Sequence, residues 1–218
     1  MKKTIARIIG VAFLAGLIAL CLNKQGESSI ETSTSGYVKK QAEQYSSMQL
    51  SAEEQTVADS IDAAKVKELE PYFTRKADEF SGTIWIEPKT KPKYTDQNGY
   101  CLYFEEFDGV ACNPRFLIQY EADEWLFIQK MIFNADGQII EFTPKEMQRD
   151  TRNARIWEWC DEPATDIEYL IKKIAYAKSV KIKMEGRQYY KVKKMTPKQI
   201  RYFKYSYEYY KALGGTFK

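Results

Sequence analysis

One hairpin signal constrains the fold more than any other feature. Two apolar-rich runs, Trp125–Asn134 (WLFIQKMIFN) and Gln138–Thr143 (QIIEFT), flank the dipeptide Asp136-Gly137. Asp-Gly supplies the two left-handed residues of a type I′ turn, whose twist matches that of the strands it joins. Further strand-like runs are Thr83–Glu87 (TIWIE), Tyr100–Phe107 (YCLYFEEF), Arg115–Glu121 (RFLIQYE) and Arg155–Cys160 (RIWEWC). They are short and divided by turn residues, which predicts antiparallel pairing. The charged stretch 144–154 reads as a loop.

Helical periodicity follows. Thr165-Asp166-Ile167-Glu168 reads as a capping box opening a helix with Ile167, Leu170, Ile171 and Ile174 on one face. Val180–Met184 and Gln188–Lys193 form a second predicted hairpin across Glu185-Gly186. Thr196-Pro197-Lys198-Gln199 starts the last helix, with Ile200, Phe203, Tyr207 and Tyr210 as its core face and Gly214-Gly215 as its stop. The expected class is α+β: a mainly antiparallel sheet of six to eight strands, two packed C-terminal helices and an N-terminal helical extension. The β–α alternation, Gly-rich loop and P-loop of nucleotide-binding folds are missing from the sequence.

The N-terminus carries an address. Lys2, Lys3 and Arg7 precede an uncharged, mostly apolar run from Ile8 to Leu22, the pattern of an export signal with its positive end held in the cytoplasm. Leu17-Ile18-Ala19-Leu20-Cys21 resembles the box read by bacterial lipoprotein processing, in which Cys21 is lipidated; Leu20 departs from the small residue that box normally has. Cleavage after Ala19-Leu20-Cys21 and retention as an uncleaved anchor are the other two routes. Two of the three leave the chain tethered, and a membrane-anchored location in the cell envelope is the expectation, with secretion as the alternative. Residues 23–36 (NKQGESSIETSTSG) are polar and Ser/Thr-rich, the composition of a flexible linker. The expected organisation is signal or anchor 1–22, linker 23–36, helical extension 37–80 and α+β domain 81–215. Within the extension, Ser51-Ala52-Glu53-Glu54 reads as a capping box, and a stripe through Val57, Ile61, Ala64 and Leu69 runs to Pro71.

Charge and rare residues narrow the chemistry. The chain's formal charge of +3 is matched by Lys2, Lys3 and Arg7 alone, so the remainder is neutral but polarised. Residues 171–218 hold 14 Lys/Arg against only Glu185 and Glu208. Such asymmetry either neutralises across the fold or offers a cationic face to an anionic partner. Histidine is absent, which excludes Ser-His-Asp and Cys-His nucleophile systems and every His-containing zinc site. No cofactor or metal motif is present; Asp96-Gln97-Asn98-Gly99 reads as a turn, since Tyr94 stands where a calcium loop needs its first Asp. In an oxidising compartment Cys101 and Cys112 are the candidate disulfide pair by proximity, with both Cys101 and Cys160 alternatively buried thiols.

The runs FSGTIWIEPK, DEWLFIQKMIF, RIWEWC and KMEGRQYY resemble a domain recurring in small exported or lipid-anchored bacterial proteins, over about residues 80–215. The resemblance implies no activity and no binding residues. Two functional expectations follow from the residues themselves. The first is a non-enzymatic interaction module whose contact face is the C-terminal helix, through Tyr202, Tyr205 and Tyr209 beside Arg201 and Lys204, toward a protein or an anionic envelope component. Export argues against nucleic acid as its partner. The second is a histidine-free carbohydrate binder or carbohydrate-acting protein using Trp157 and Trp159, which alternate onto one face of a strand.

Overall fold

The computed structural model describes residues 61–217, and the expected capping box at Ser51–Glu54 lies outside them. Ten strands form two antiparallel sheets. A short helix α1 (Ala63–Leu69), capped by the Asp62 side chain, passes through a 3-10 turn (Glu70–Tyr72) into β1 (Phe73–Ala77). Next come β2 (Ile84–Pro88), β3 (Gly99–Phe107), β4 (Val110–Ala122), β5 (Lys130–Ala135), β6 (Gln138–Phe142), β7 (Gln148–Arg152) and β8 (Arg155–Pro163). Helix α2 (Glu168–Ala175), the hairpin β9 (Val180–Glu185) and β10 (Tyr190–Lys194), and helix α3 (Pro197–Ala212) complete the chain. Sheet order is β1-β2-β3-β4-β8-β7 in the larger sheet and β10-β9-β5-β6 in the smaller. The α+β class holds, with two sheets in place of one.

The core lies where the inner faces of both sheets meet α2 and α3. Phe116 of β4 marks the junction: its ring lies 6.2 Å from Phe133 of β5, 5.5 Å from Phe142 of β6 and 5.8 Å from Phe203 of α3. Edge-to-face and tilted pairs of this kind contribute beyond their buried area. The predicted type I′ turn is present, with Asp136 at φ 50° and Gly137 at φ 91°.

Four expectations need correction. The extension 37–80 is not helical to its end. Beyond Pro71 the chain extends, Phe73 enters the core, and β1 pairs with β2, so residues before 81 already belong to the α+β unit. Trp125–Asn134 is not one strand. Residues 126–128 turn their amides onto Glu158, and pairing starts only at Lys130. The presumed loop 144–154 contains β7, an exposed edge strand whose side chains give no apolar alternation to read. Thr165 caps nothing: a 3-10 turn (Thr165–Ile167) leads into α2, with no side-chain cap.

Candidate functional site

Helix α3 presents the side chains expected to make the contact face. Its start is over-determined: Gln199 N–H donates to the Thr196 hydroxyl at 3.2 Å, Thr196 N–H donates to Gln199 Oε1 at 2.7 Å, and Pro197 occupies the first turn. Such reciprocal capping satisfies amides that a helix otherwise leaves unpaired. The inward side carries Ile200, Phe203, Tyr207 and Tyr210, as the spacing predicted.

The tyrosine stripe divides. Tyr209 has no exposed surface and packs against Phe73 at 4.7 Å and Phe104 at 5.8 Å. It is a core residue, because β1 covers the side of α3 that the sequence left open. Tyr202 and Tyr205 remain half-buried at the rim and meet Tyr72 of the 3-10 turn, with ring centroids 6.0 and 4.6 Å away. Their own rings are 5.8 Å apart. Exposed Arg201 lies one turn before Tyr205. Lys204 turns to the other flank, 3.6 Å from Glu208 and 5.3 Å from the Tyr176 ring. The surface cluster is therefore Tyr72, Tyr202, Tyr205 and Arg201. Tyr72 was missed because it sits 130 residues upstream, beside a proline that reads only as a helix stop.

The polarised charge is not neutralised by ion pairs across the fold. Of the 14 cations in residues 171–218, all but Lys218 are described. Only Lys183 and Lys204 among them have a described acid within 4 Å, and their partners Glu185 and Glu208 belong to the same segment. The acids of the preceding half that do form ion pairs form them with cations of that half, among them Glu106 with Arg75, Glu87 with Lys76 and Lys91, Asp161 with Arg115, Glu158 with Arg149 and Glu121 with Arg155. The pairs that cross are Lys65–Glu208 and Lys130–Glu185, which engage the two acids of the basic segment and none of its cations.

On the outer face of the larger sheet, Cys101, Tyr103 and Leu117 form a small apolar cluster flanked by Trp85 and Trp159. Tyr103 hydroxyl donates to Asp161, Arg115 Nε donates to the same carboxylate at 3.1 Å, and Lys91 sits 3.7 Å above the Tyr103 ring. Burial and the Asp161 charge together hold the Tyr103 phenol well above its usual range. Trp157 is 7% exposed and offers no stacking face, while Trp159 is half-buried against the cluster. The two tryptophans share a strand face but not an open platform.

The three described thiols do not pair with one another. Cys101, Cys112 and Cys160 are all free. In the β3–β4 register Cys101 faces Leu117 whereas Cys112 faces Glu105, a separation of about 13 Å along β3, far beyond the reach of a disulfide. Cys160 belongs to the main core on the opposite face from Cys101. Among the described residues no cluster of three or more metal-ligating side chains occurs, and no helix is long and apolar enough to cross a membrane.

Comparisons of the chain with protein-family models, with characterised proteins and with solved structures found no match.

Proposed function

We propose that this protein is an envelope-tethered, non-enzymatic interaction module that engages an anionic or acidic partner through its C-terminal segment. One observation carries the reading. The surplus of cations in residues 171–217 makes no ion pair within 4 Å with a described acid from the rest of the fold, and although Asp136 lies near Lys172, Lys173 and Lys178, most of its field is directed outward. The contact site is the rim cluster Tyr72, Tyr202, Tyr205 and Arg201, where half-exposed tyrosines stand beside an arginine with no described acid within 4 Å. Tyrosine and arginine are the side chains over-represented at interface centres, since both offer large contact area with a polar tip. The N-terminal leader, with lipidation at Cys21 as the favoured route, supplies the tether.

The test combines position-specific photocrosslinking with fractionation in cells carrying a tagged full chain. A photoreactive residue at Tyr205 or Arg201 is expected to give a discrete adduct that the same residue at Gln148, on the exposed β7 edge, does not give. Arg201→Glu, with the photoreactive residue kept at Tyr205, is expected to weaken the adduct several-fold. Cys21→Ala is expected to change mature mass and release the chain from the membrane fraction. Equal labelling at positions 205, 201 and 148, or a full chain free in the cytosol, would overturn the reading.

A further inference from the structure

The solvent face of the smaller sheet is built as an amphipathic surface. Antiparallel register aligns Asn134, Lys181 and Lys194 in one row across β5, β9 and β10, and Ile132, Lys183 and Val192 in the next. Lys181 and Lys194 are thus direct cross-strand neighbours, both exposed, and neither has a described acid within 4 Å. Like charges directly opposite one another destabilise a sheet. The acids of this face are already engaged, Glu185 by Lys183 at 2.5 Å and by Lys130 at 3.4 Å, and Glu141 by Lys130 at 3.4 Å. Ile139 and Val192 stand beside the lysine pair and Tyr190 lies farther along the same face, opposite Glu185; they are 60%, 56% and 57% exposed. The two exposed large aliphatic side chains among the described residues, Ile139 and Val192, both lie here.

We infer that this sheet face docks on an anionic phospholipid surface, with Lys181 and Lys194 on headgroup phosphates and Ile139, Val192 and Tyr190 at the headgroup boundary. Three observations select that occupant. A second copy stacked face to face about a two-fold axis through the lysine pair would bring the lysine pairs of both copies together, and the acids of the face, Glu141 and Glu185, are already held by Lys130 and Lys183. The cations are lysines, compact charges on long flexible stems, and not the arginine forks that read carboxylates on a protein partner. Aliphatic tips interleaved with lysines, beside a tyrosine, are the composition of an interfacial contact. Each lysine near an anionic leaflet adds roughly five-fold to partitioning. The face is separate from the tyrosine rim on α3; the inference shares with the proposed function the unpaired cations of residues 171–217, to which Lys181 and Lys194 belong, and the placement of the domain beside a membrane.

The experiment is amide hydrogen exchange on the full chain mixed with phosphatidylcholine vesicles or with vesicles containing about one third phosphatidylglycerol. The leader attaches the chain to both. Exchange across Tyr190–Lys194 and Gln138–Phe142 is expected to slow several-fold on the anionic vesicles only. The slowing should disappear at 0.5 M salt and in Lys181→Glu/Lys194→Glu, and should shrink in Val192→Ser. Equal exchange on both vesicles, with the chain attached to both, overturns the inference and leaves the tether reading intact. The same slowing produced by soluble polyglutamate on neutral vesicles also overturns it, in favour of a polyanion site. A chain that floats only with anionic vesicles, and not after the double substitution, supports the face while removing the tether. Flotation with neither removes both.

Discussion

The buried carboxylate of Glu158 fixes the backbone of Phe127. Glu158 Oε1 accepts the Phe127 amide at 2.8 Å, and Phe127 stands at φ 54°, a conformation that a bulky side chain rarely adopts. The same carboxylate accepts the Leu126 and Ile128 amides at 2.8 Å and the Arg149 Nε–H at 3.1 Å, while itself having no exposed surface. Three successive amides converging on one anion form the kind of nest that elsewhere binds a ligand; here the chain fills it from β8.

Replacing Glu158 with Gln keeps the volume but leaves one side-chain oxygen and an amide that cannot accept. The expected cost is about 2–4 kcal/mol, since buried donors and a cation lose their partner together. Urea unfolding measures it. A cost below about 0.5 kcal/mol would show that the nest does not hold the loop.

The split of the tyrosine stripe predicts unequal tolerance. Tyr209→Ala opens a cavity among Phe73, Phe104 and α3, at an expected cost of about 3–5 kcal/mol. Tyr209→Phe should cost about 1 kcal/mol or less, because the buried hydroxyl makes no well-aligned hydrogen bond and only a weak approach to Arg75 is lost. Tyr205→Ala should cost about 1 kcal/mol or less at the rim. Thermal or urea denaturation of the three variants ranks them, and a reversed order would return Tyr209 to the surface.

Thiol reactivity should follow burial. Desolvation raises the Cys101 and Cys160 thiols to about 12, and raises half-buried Cys112 by less. At pH 8 under native conditions a disulfide reagent is expected to modify Cys112 ahead of Cys101 and Cys160, which should react only on unfolding. Non-reducing peptide mapping is expected to find no Cys101–Cys112 linkage.

Alkaline pH should destabilise the fold. The folded-state values of Cys101 and Cys160 lie above those of the unfolded chain, as do those of Tyr120, Tyr207 and Tyr210, each also raised to about 12 chiefly by burial. The unfolded state therefore loses its protons first, and native stability, complete below about pH 9, declines as pH rises toward 12. At pH 10.5 each buried thiol alone forfeits on the order of 2 kcal/mol. Denaturant midpoints between pH 7 and 10.5 test the slope, and a flat profile would contradict it.

The central hairpin and the last helix were legible because their signals are local. Asp136-Gly137 needs only its own turn geometry, and Thr196 finds Gln199 three residues away. What was hidden depends on distant partners. Nothing in the run Trp125–Asn134 says that its first amides will bond Glu158 about thirty residues later, so the run reads as one strand. Tyr209 looks like its neighbours Tyr202 and Tyr205 until β1, from the opposite end of the chain, covers it. The charge asymmetry was visible by counting, but whether the halves cancel required knowing which acid faces which base.

Ile61 forms a β-bridge with Leu213, and Asp62 N–H donates to Ala212 C=O at 2.9 Å. Residue 61 is thus tied to the foot of the last helix, four residues before Phe217. Joining residues 61 and 217 by a short peptide and opening the chain at the exposed Asp108-Gly109 turn should yield a permuted protein with the same architecture. By the same token, mechanical load arriving through residue 60 is delivered at the foot of the last helix, and the first contact to yield is one bridge rather than a sheet.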